Sequence, residues 1–450
     1  MYVKKVTINN IRSISDFEMT FHEPAGWHVI IGDNGAGKST VVKSIALAML
    51  DIQDINAARQ NWSEWLKNNK DLGFIEAIIS PDITFDHSTK ETYNKISFER
   101  ESNKNKASLL EVYFRGERTM KKKSGDSLTT SSSVPYPPPT PTPTPIPVYQ
   151  EEKHFLGWFS VGYGPFRRFS GGESGTDVIY QSNPHLGAHF SIFGEGIALS
   201  EAVRFLRDLY IEESVSIRKN QDYKPTLKNI MQFINETKLL PHGAMIADVD
   251  LDGVCFKDGY GNIIASMQMS DGYRSILCLM FELIRQLIRS YGEEKVFENV
   301  NNGQNIIDLP GVVLIDEIDA HLHPTWQTRI GEWFTMYFPK IQFIVTTHSP
   351  LVCRACEKGS IWRLAAPGSD IESGEVTGIE RERLIYGNIL DAYGTELFGQ
   401  SPVRSGKSEE KLERLGHLNM LSAFGKITEE EDKERLELQK ILSTDDPTGF

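Results

Sequence analysis

Nine consecutive residues, Gly32-Asp33-Asn34-Gly35-Ala36-Gly37-Lys38-Ser39-Thr40, contain the spacing G-x-x-x-x-G-K-S. The apolar run Trp27-His28-Val29-Ile30-Ile31 precedes them, and a helix-forming stretch, Val41 to Leu50, follows. Strand, glycine-rich turn and helix in that order make a phosphate cradle. The glycines let successive backbone N–H groups face inward, and the helix start adds the positive end of its dipole. Lys38 then neutralises β- and γ-phosphate oxygens, and the Ser39 hydroxyl ligates Mg²⁺. Asn34, Gly35, Gly37 and Thr40 count with them as nucleotide-binding positions. A glycine-rich turn with no ligand is the bland alternative.

The chain has 450 residues, 40% of them apolar and 10% aromatic, enough to bury a large core and to form two or three lobes. No stretch is long and apolar enough to span a membrane, and Met1-Tyr2-Val3-Lys4-Lys5 runs into an alternating strand rather than a signal-peptide core. A cytoplasmic protein is expected. Four cysteines make no disulfide framework, in keeping with a reducing compartment. A net charge of -13 argues against binding nucleic acid by bulk electrostatics. Clusters at Arg115, Arg118 and Lys121 to Lys123, and at Arg167 and Arg168, leave a local basic face open.

Val3, Val6 and Ile8 alternate with polar residues and read as a half-buried strand. After the cradle, a helix is expected at about Ala57 to Asn68, then an apolar alternation, Phe74 to Ile79, ending at Pro81. These elements read as one α/β lobe, residues 1–81. The pattern then fades, and Ser124 to Pro147 is a Ser/Pro/Thr-rich run that packs no core and is expected to be an extended linker ending an inserted region, 82–150. A proline-rich docking peptide is its functional alternative. Beyond it, Phe155 to Val161 reads as a buried strand and Tyr163-Gly164-Pro165-Phe166-Arg167-Arg168 as a turn with two cations. A helix follows at about Leu199 to Arg218, and a hairpin at 246–268 turns at Asp258-Gly259-Tyr260-Gly261.

Ser270 stands as N-cap of a strongly apolar helix running to Leu287, and Ser270 and Gly272 at its start make a second anion-binding end. Gly311-Val312-Val313-Leu314-Ile315 is a buried strand ending in Asp316 and Glu317. In a phosphate-cradle protein the first carboxylate holds Mg²⁺ and the second polarises the attacking water, which makes Glu317 the catalytic base. Ile341 to Ser349 is another buried strand. His348 at its tip can donate a hydrogen bond to the γ-phosphate or the water.

With these residues in this order, the chain resembles the ABC-type ATPases of the RecF, chromosome-maintenance and OLD group, above all stand-alone bacterial ATPases of phage-defence operons. The resemblance covers most of residues 1–365. It implies an α/β fold: a P-loop ATPase head with a mixed central sheet, an inserted region, the rest of the head at 151–366, and a helical C-terminal extension at 367–450. It puts the signature on Ser270-Asp271-Gly272, Walker B on Val312 to Asp316, the D-loop on Asp319 and the switch histidine on His348. Arg12 matches an arginine that helps bind nucleotide phosphate, and Gln60 is the nearest candidate for the Q-loop and a place at the metal. Asp271 and Tyr273 depart from the transporter signature, which has glycine and glutamine there. The long heptad arms of the chromosome-maintenance relatives are absent.

The spacing of the C-terminal tail resembles the helical extensions of the Septu and retron-associated ATPases. No Toprim-like nuclease module follows the head, so a nuclease in trans, of the HNH type, is what the resemblance implies. ATP and Mg²⁺ are the implied cofactors. The implied assembly is a homo-oligomer that buries ATP head to tail between Lys38 of one subunit and Ser270 and Gly272 of another. A nucleic acid or phage component is the implied trigger, and no membrane is involved. The rival readings are an ATP-dependent scaffold that sequesters a Toprim-type nuclease, as in PARIS systems, and a transporter's nucleotide-binding subunit, which the inserted region and the S-D-G signature disfavour. Two metal patterns are weaker. Cys353-x-x-Cys356 lacks a second pair nearby, and His321 and His323 fit a structural or dimer-contact role beside Asp319 better than a ligand pair.

Overall fold

The computed structural model describes residues 1–58, 60–86, 91–100, 107–114, 117–118, 159–167, 182–194, 200–251, 253–366, 368–369, 372–388 and 406–442. The expected linker, Arg115, Lys121 to Lys123, Arg168 and the first half of the strand expected at Phe155 lie outside the described residues. Contacts group residues 1–387 into one unit and residues 388–450 into another. The sequence division at 366/367 therefore falls inside the first unit, among the segments that lead to its last helix.

In the first unit, β1 (Tyr2–Ile11) and β2 (Ile14–Thr20) form a hairpin, and β3 (Gly26–Gly32) leads into α1 (Lys38–Met49). A short α2 (Ile52–Ala57), N-capped by the Asp51 side chain, ends where a longer helix was expected. The stretch that follows bonds across to the first hairpin instead of along a helix axis. Arg12 N–H donates to Trp65 O at 2.8 Å, and Lys67 N–H donates to Asn10 O at 2.9 Å. Next come β4 (Leu72–Ser80), β5 (Thr92–Arg100), β6 (Ala107–Phe114) and β7 (Glu117–Arg118). They extend one antiparallel sheet in the order β2-β1-β4-β5-β6-β7. The stretch in which the sequence pattern fades thus continues this sheet. Its β5 buries Asn94, Ile96 and Phe98 in strict alternation, with the Asn94 amide spent on Ala48 O at 2.7 Å.

The second sheet is mainly parallel. Its strands β8 (Ser160–Tyr163), β12 (Gly311–Ile315), β13 (Ile341–Thr346) and β14 (Gly359–Leu364) join β3 in the order β14-β3-β13-β12-β8, and β15 (Gly374–Glu375) pairs antiparallel at one edge. Strands buried on both faces read as continuous apolar runs, which β12 and β13 do. α1 packs in one buried cluster with Val6, Ile8, Ile75 and Ile96 of the first sheet and Ile30, Val312, Leu314 and Ile344 of the second. It is therefore apolar around most of its circumference rather than along one stripe. Against the parallel sheet also lies α7 (Pro324–Tyr337), where Phe334 stacks on Trp27 at 5.8 Å and meets Phe343 at 4.9 Å.

Between β8 and β12 the chain forms α3 (Pro184–Phe193), α4 (Ser200–Lys219) and α5 (Thr226–Glu236), a three-stranded sheet of β9 (Met245–Val249), β10 (Val254–Lys257) and β11 (Ile263–Ala265), and the long α6 (Asp271–Tyr291). The expected hairpin has two turns. Asp250 and Gly253 close the first, with Asp250 N–H on Gly253 O at 2.9 Å, and split the alternation at Val249 and Val254. The unit ends with α8 (Gly378–Tyr386). The second unit is a hairpin of α9 (Gly406–Ala423) and α10 (Glu429–Ile441), joined around Leu415, Leu418 and Leu438 and opened at α10 by a Thr428–Glu431 capping box. Among the described residues no helix is long and apolar enough to cross a membrane.

Candidate functional site

The parallel register brings the ends of β3, β12 and β13 to one edge of the sheet, and the predicted nucleotide residues lie there. The loop after β3 folds over Lys38, whose Nζ donates to Gly32 O at 2.7 Å and Asp33 O at 3.0 Å and lies 3.5 Å from His348 Nδ1. Two of the three ammonium protons thus shape the loop, and the third faces the His348 ring. Burial pushes the Lys38 pKa down, while Asp316, Glu317, Asp319 and Asp33 work in the opposite direction and hold the charge. Asp33, Asn34 and Gly35 form the exposed tip. Gly37 precedes α1 with φ 104°, and a Cβ there would stand 2.7 Å from Ser13 Oγ. Backbone conformation and space both demand glycine at this point. Ser39 and Thr40 occupy the first turn of α1.

The contact at Gly37 also places the turn between β1 and β2 against the cradle. Arg12, at φ 49° in that turn, lays its guanidinium 4.5 Å over the Trp65 ring, and burial lowers its pKa. Gln60 follows α2, and its amide donates to Ala58 O at 3.2 Å. The strand adjoining β12 on its far side is β8, and Arg167 lies in the turn that follows it.

At the end of β12, Asp316 is buried, and its Oδ1 accepts the Thr346 hydroxyl at 2.5 Å. Thr346 Oγ1 in turn accepts the Glu317 N–H at 2.8 Å, and Thr346 O accepts the Ile318 N–H at 3.0 Å. Glu317 has φ 47°, a left-handed conformation that non-glycine residues seldom adopt and that clusters at functional sites. Asp319 accepts the His348 N–H on both carboxylate oxygens at 3.3 and 3.4 Å, tying the residue expected in the D-loop to the expected switch histidine.

Ser270 is the N-cap of α6 as expected, but its hydroxyl does not cap the helix. Gly272 lies so near the segment after Asp319 that a Cβ would stand 2.6 Å from His321 O. Gly272 thus lies beside His321 and Leu322 of the same chain, while Lys38, Asp316, Glu317 and His348 gather at the cradle. His323 Nδ1 accepts the Thr325 N–H at 3.3 Å as the N-cap of α7, a structural role. Cys353 and Cys356 are buried free thiols pushed up in pKa by desolvation. Among the described residues no cluster of three or more histidine, cysteine, aspartate and glutamate side chains is placed to hold a metal ion.

Sequence reasoning missed Thr346 and the role of Arg167. The first reads only as a polar residue at the tip of an apolar run. The second is a cation in a turn, and its partners Ser275, Asp316 and Glu317 lie more than a hundred residues away.

The residues fit ATP and Mg²⁺. Gly37, at φ 104°, suits only glycine in the cradle, the Lys38 ammonium lies within the loop, and the Ser39 hydroxyl and Asp316 carboxylate are the hard oxygen donors that Mg²⁺ takes.

Residues 177–354 match the AAA_21 family model, described as "AAA domain, putative AbiEii toxin, Type IV TA system", and residues 5–135 match AAA_23, "AAA domain". The chain is 26% identical over 368 residues to Septu protein PtuA of Bacillus mycoides (strain KBAB4), covering 80% of this chain and 40% of that protein. To "Retron Vc95 probable ATPase" of Vibrio cholerae serotype O1 biovar El Tor it is 24% identical over 398 residues, 78% of this chain and 71% of that protein. To "Retron Ec83 probable ATPase" of Escherichia coli it is 43% identical over 101 residues, 22% of this chain and 17% of that protein. The matches to the Ec83 and Bacillus mycoides proteins thus span less than half the length of either relative. Residues 177–354 thus match the AAA_21 domain model, and the chain is similar in sequence to the Septu PtuA proteins and the retron ATPases.

Proposed function

We propose that this chain hydrolyses ATP as the ATPase subunit of an anti-phage defence complex and controls a separate nuclease, of the HNH type, through ATP-dependent head-to-tail dimerisation. One observation carries the ATPase reading: Lys38, the Asp316–Glu317 pair and His348 converge from three strand ends, with Lys38 Nζ 3.5 Å from His348 Nδ1. Kinship with Septu and retron ATPases supports the defence role. An HNH partner follows from the resemblance to PtuA, and a nucleic acid or phage component is the proposed trigger.

Lys38 would bind β- and γ-phosphate oxygens, and Ser39 and Asp316 would hold Mg²⁺. Bound there, the metal neutralises charge on the terminal phosphates. Glu317 takes a proton from the attacking water, and His348 donates toward the terminal oxygens. Arg12 steadies the nucleotide from the hairpin turn. In a dimer, Ser270 and Gly272 of one subunit close over the phosphate held by the other, and Asp319 sits at the seam. The exposed start of α6 and a Ser270 hydroxyl not used as a cap suit that role. Loss of the terminal phosphate removes charge that both subunits contact, which biases the pair to open and frees or reorients the nuclease.

Phosphate release and light scattering on purified protein test this. Lys38→Ala should lose nucleotide binding, and Glu317→Gln should bind ATP, stop turnover and persist as a dimer. One oligomeric state shared by apo protein, ATP-bound protein and Glu317→Gln would reject dimerisation. Absent phosphate release, with ATP-driven assembly retained, would favour the scaffold.

A further inference from the structure

Arg167 lies in the turn after β8, only 5% exposed. Its guanidinium donates from Nε to Ser275 Oγ at 2.9 Å, from Nη1 to Gly164 O at 3.1 Å and Asp316 O at 3.0 Å, and from Nη2 to Glu317 O at 3.0 Å. These acceptors are carbonyls and one hydroxyl rather than a carboxylate. Burial pushes its pKa down to about 10, so the cation is kept inside at a cost. A neutral side chain would fill this space more cheaply unless the fork of donors were needed where it points.

It points at the two peptides that most need fixing. Glu317 has φ 47°, and such a conformation persists only when its surroundings over-determine it. Thr346 Oγ1 holds its N–H, while Arg167 Nη2 and the Ala320 N–H hold its C=O. The fourth acceptor, Ser275, lies in the second turn of α6, the helix that starts beside Ser270 and Gly272. One rigid planar group therefore joins the helix that begins at the signature to the backbone of the predicted base. Lysine has no fork and cannot span these acceptors.

We propose that Arg167 is a positioning residue for hydrolysis, holding the Asp316–Glu317 backbone in its reactive setting and coupling it to the seating of α6. This rests on the reading of Glu317 as the base. Arg167 acts through Glu317, and a signature that has not been seated would leave the base less well held.

The test uses the full chain with steady-state phosphate release, binding of a fluorescent, slowly hydrolysed ATP analogue, and thermal melts. Arg167→Lys should lower kcat ten- to a hundredfold, with analogue Kd and KM within about threefold of wild type and Tm within a few degrees. Ser275→Ala should lower kcat by a smaller factor, and the double variant should be no slower than Arg167→Lys alone, since both remove one link. Tens of millimolar guanidinium should restore part of the kcat of Arg167→Ala. A wild-type kcat for Arg167→Lys, or parallel losses of binding, Tm and kcat, would overturn the proposal. If Arg167→Lys does not fold, Ser275→Ala decides, and an unchanged kcat there overturns it. Glu317→Gln, run alongside, separates the two ideas. Residual turnover in that variant sinks the base assignment, whereas its inactivity together with a normal Arg167→Lys sinks only the positioning role.

Discussion

The hydroxyl of Thr346 donates to Asp316 Oδ1 at 2.5 Å, joining the end of β13 to the end of β12 at the point where the sheet meets the cradle. Because the same oxygen accepts the Glu317 N–H, one hydroxyl sets both the orientation of a carboxylate and the backbone of its neighbour. Thr346→Val keeps the shape and removes both bonds. It leaves the Glu317 amide unpaired and frees Asp316 to rotate, and a bond of this kind is worth roughly 1–3 kcal/mol. Phosphate release should fall about ten- to a hundredfold, with analogue binding little changed and Thr346→Ser close to wild type. Normal release by the valine variant would count against this role.

Gln342 tests how the two sheets are joined. Fully buried in β13, it accepts the Val3 N–H at 2.8 Å and donates to Val3 O at 2.9 Å. Both bonds fall where the β1–β4 register slips between Val3 and Lys5. Gln342→Leu keeps the bulk and strands two buried backbone groups, a loss of about 2–5 kcal/mol. Tm should drop by roughly 2–6 °C. A melt that superimposes on wild type would mean that Val3 finds other partners.

The cradle and the strand ends were legible because each is written in contiguous residues. Gly32 to Thr40 combine the turn, the lysine and the helix start, and Gly311 to Glu317 combine the strand and its carboxylates. What lay beyond reach depended on partners distant in sequence. Trp65 and Lys67 were expected in a helix, yet their backbone groups pair with Arg12 and Asn10 more than fifty residues earlier. Asn94 and Ile96 do alternate in a strand, but a buried asparagine reads as polar until Ala48 O appears beside it. Arg167 has no local signal of its role, since its acceptors come from α6 and β12.

Acid should weaken the fold through His28. This ring is buried between Pro24 O and Ser360 Oγ, each at 2.8 Å, with Trp362 Nε1 donating to the same hydroxyl at 2.7 Å. The arrangement suits a neutral ring with its proton on Nε2, and burial pushes the pKa from 6.5 down to about 4. A depressed folded pKa means that the contribution is complete above pH 6.5, declines as pH falls toward the folded value, and is lost below it. About 2 kcal/mol should be gone by pH 5 and on the order of 3 kcal/mol in all. Urea melts from pH 7 to pH 4.5 should show a shallower decline for His28→Gln than for wild type. Buried His189 has its pKa pushed the same way and contributes to both proteins. Parallel curves would exclude His28 as a source of acid sensitivity.

Gly272 and Gly416 make a matched pair for separating contact from helix propensity. A Cβ on Gly272 would stand 2.6 Å from the His321 carbonyl oxygen, a backbone atom that cannot swing aside. His321 itself has φ 64°, so the segment has little freedom to adapt. Gly272→Ala must therefore move either the start of α6 or residues 319–322, and the second choice disturbs the Asp319 carboxylate that accepts the His348 N–H. Either shift displaces groups proposed to meet the terminal phosphate, and phosphate release should fall at least about tenfold. Gly416, in α9, has nothing within 4 Å of its virtual Cβ, so alanine there should leave phosphate release unchanged. It should also stabilise the helix by about 0.5–1 kcal/mol. Equal effects from the two substitutions, measured by phosphate release and thermal melts on the same preparations, would mean that the contact with His321 does not constrain the site.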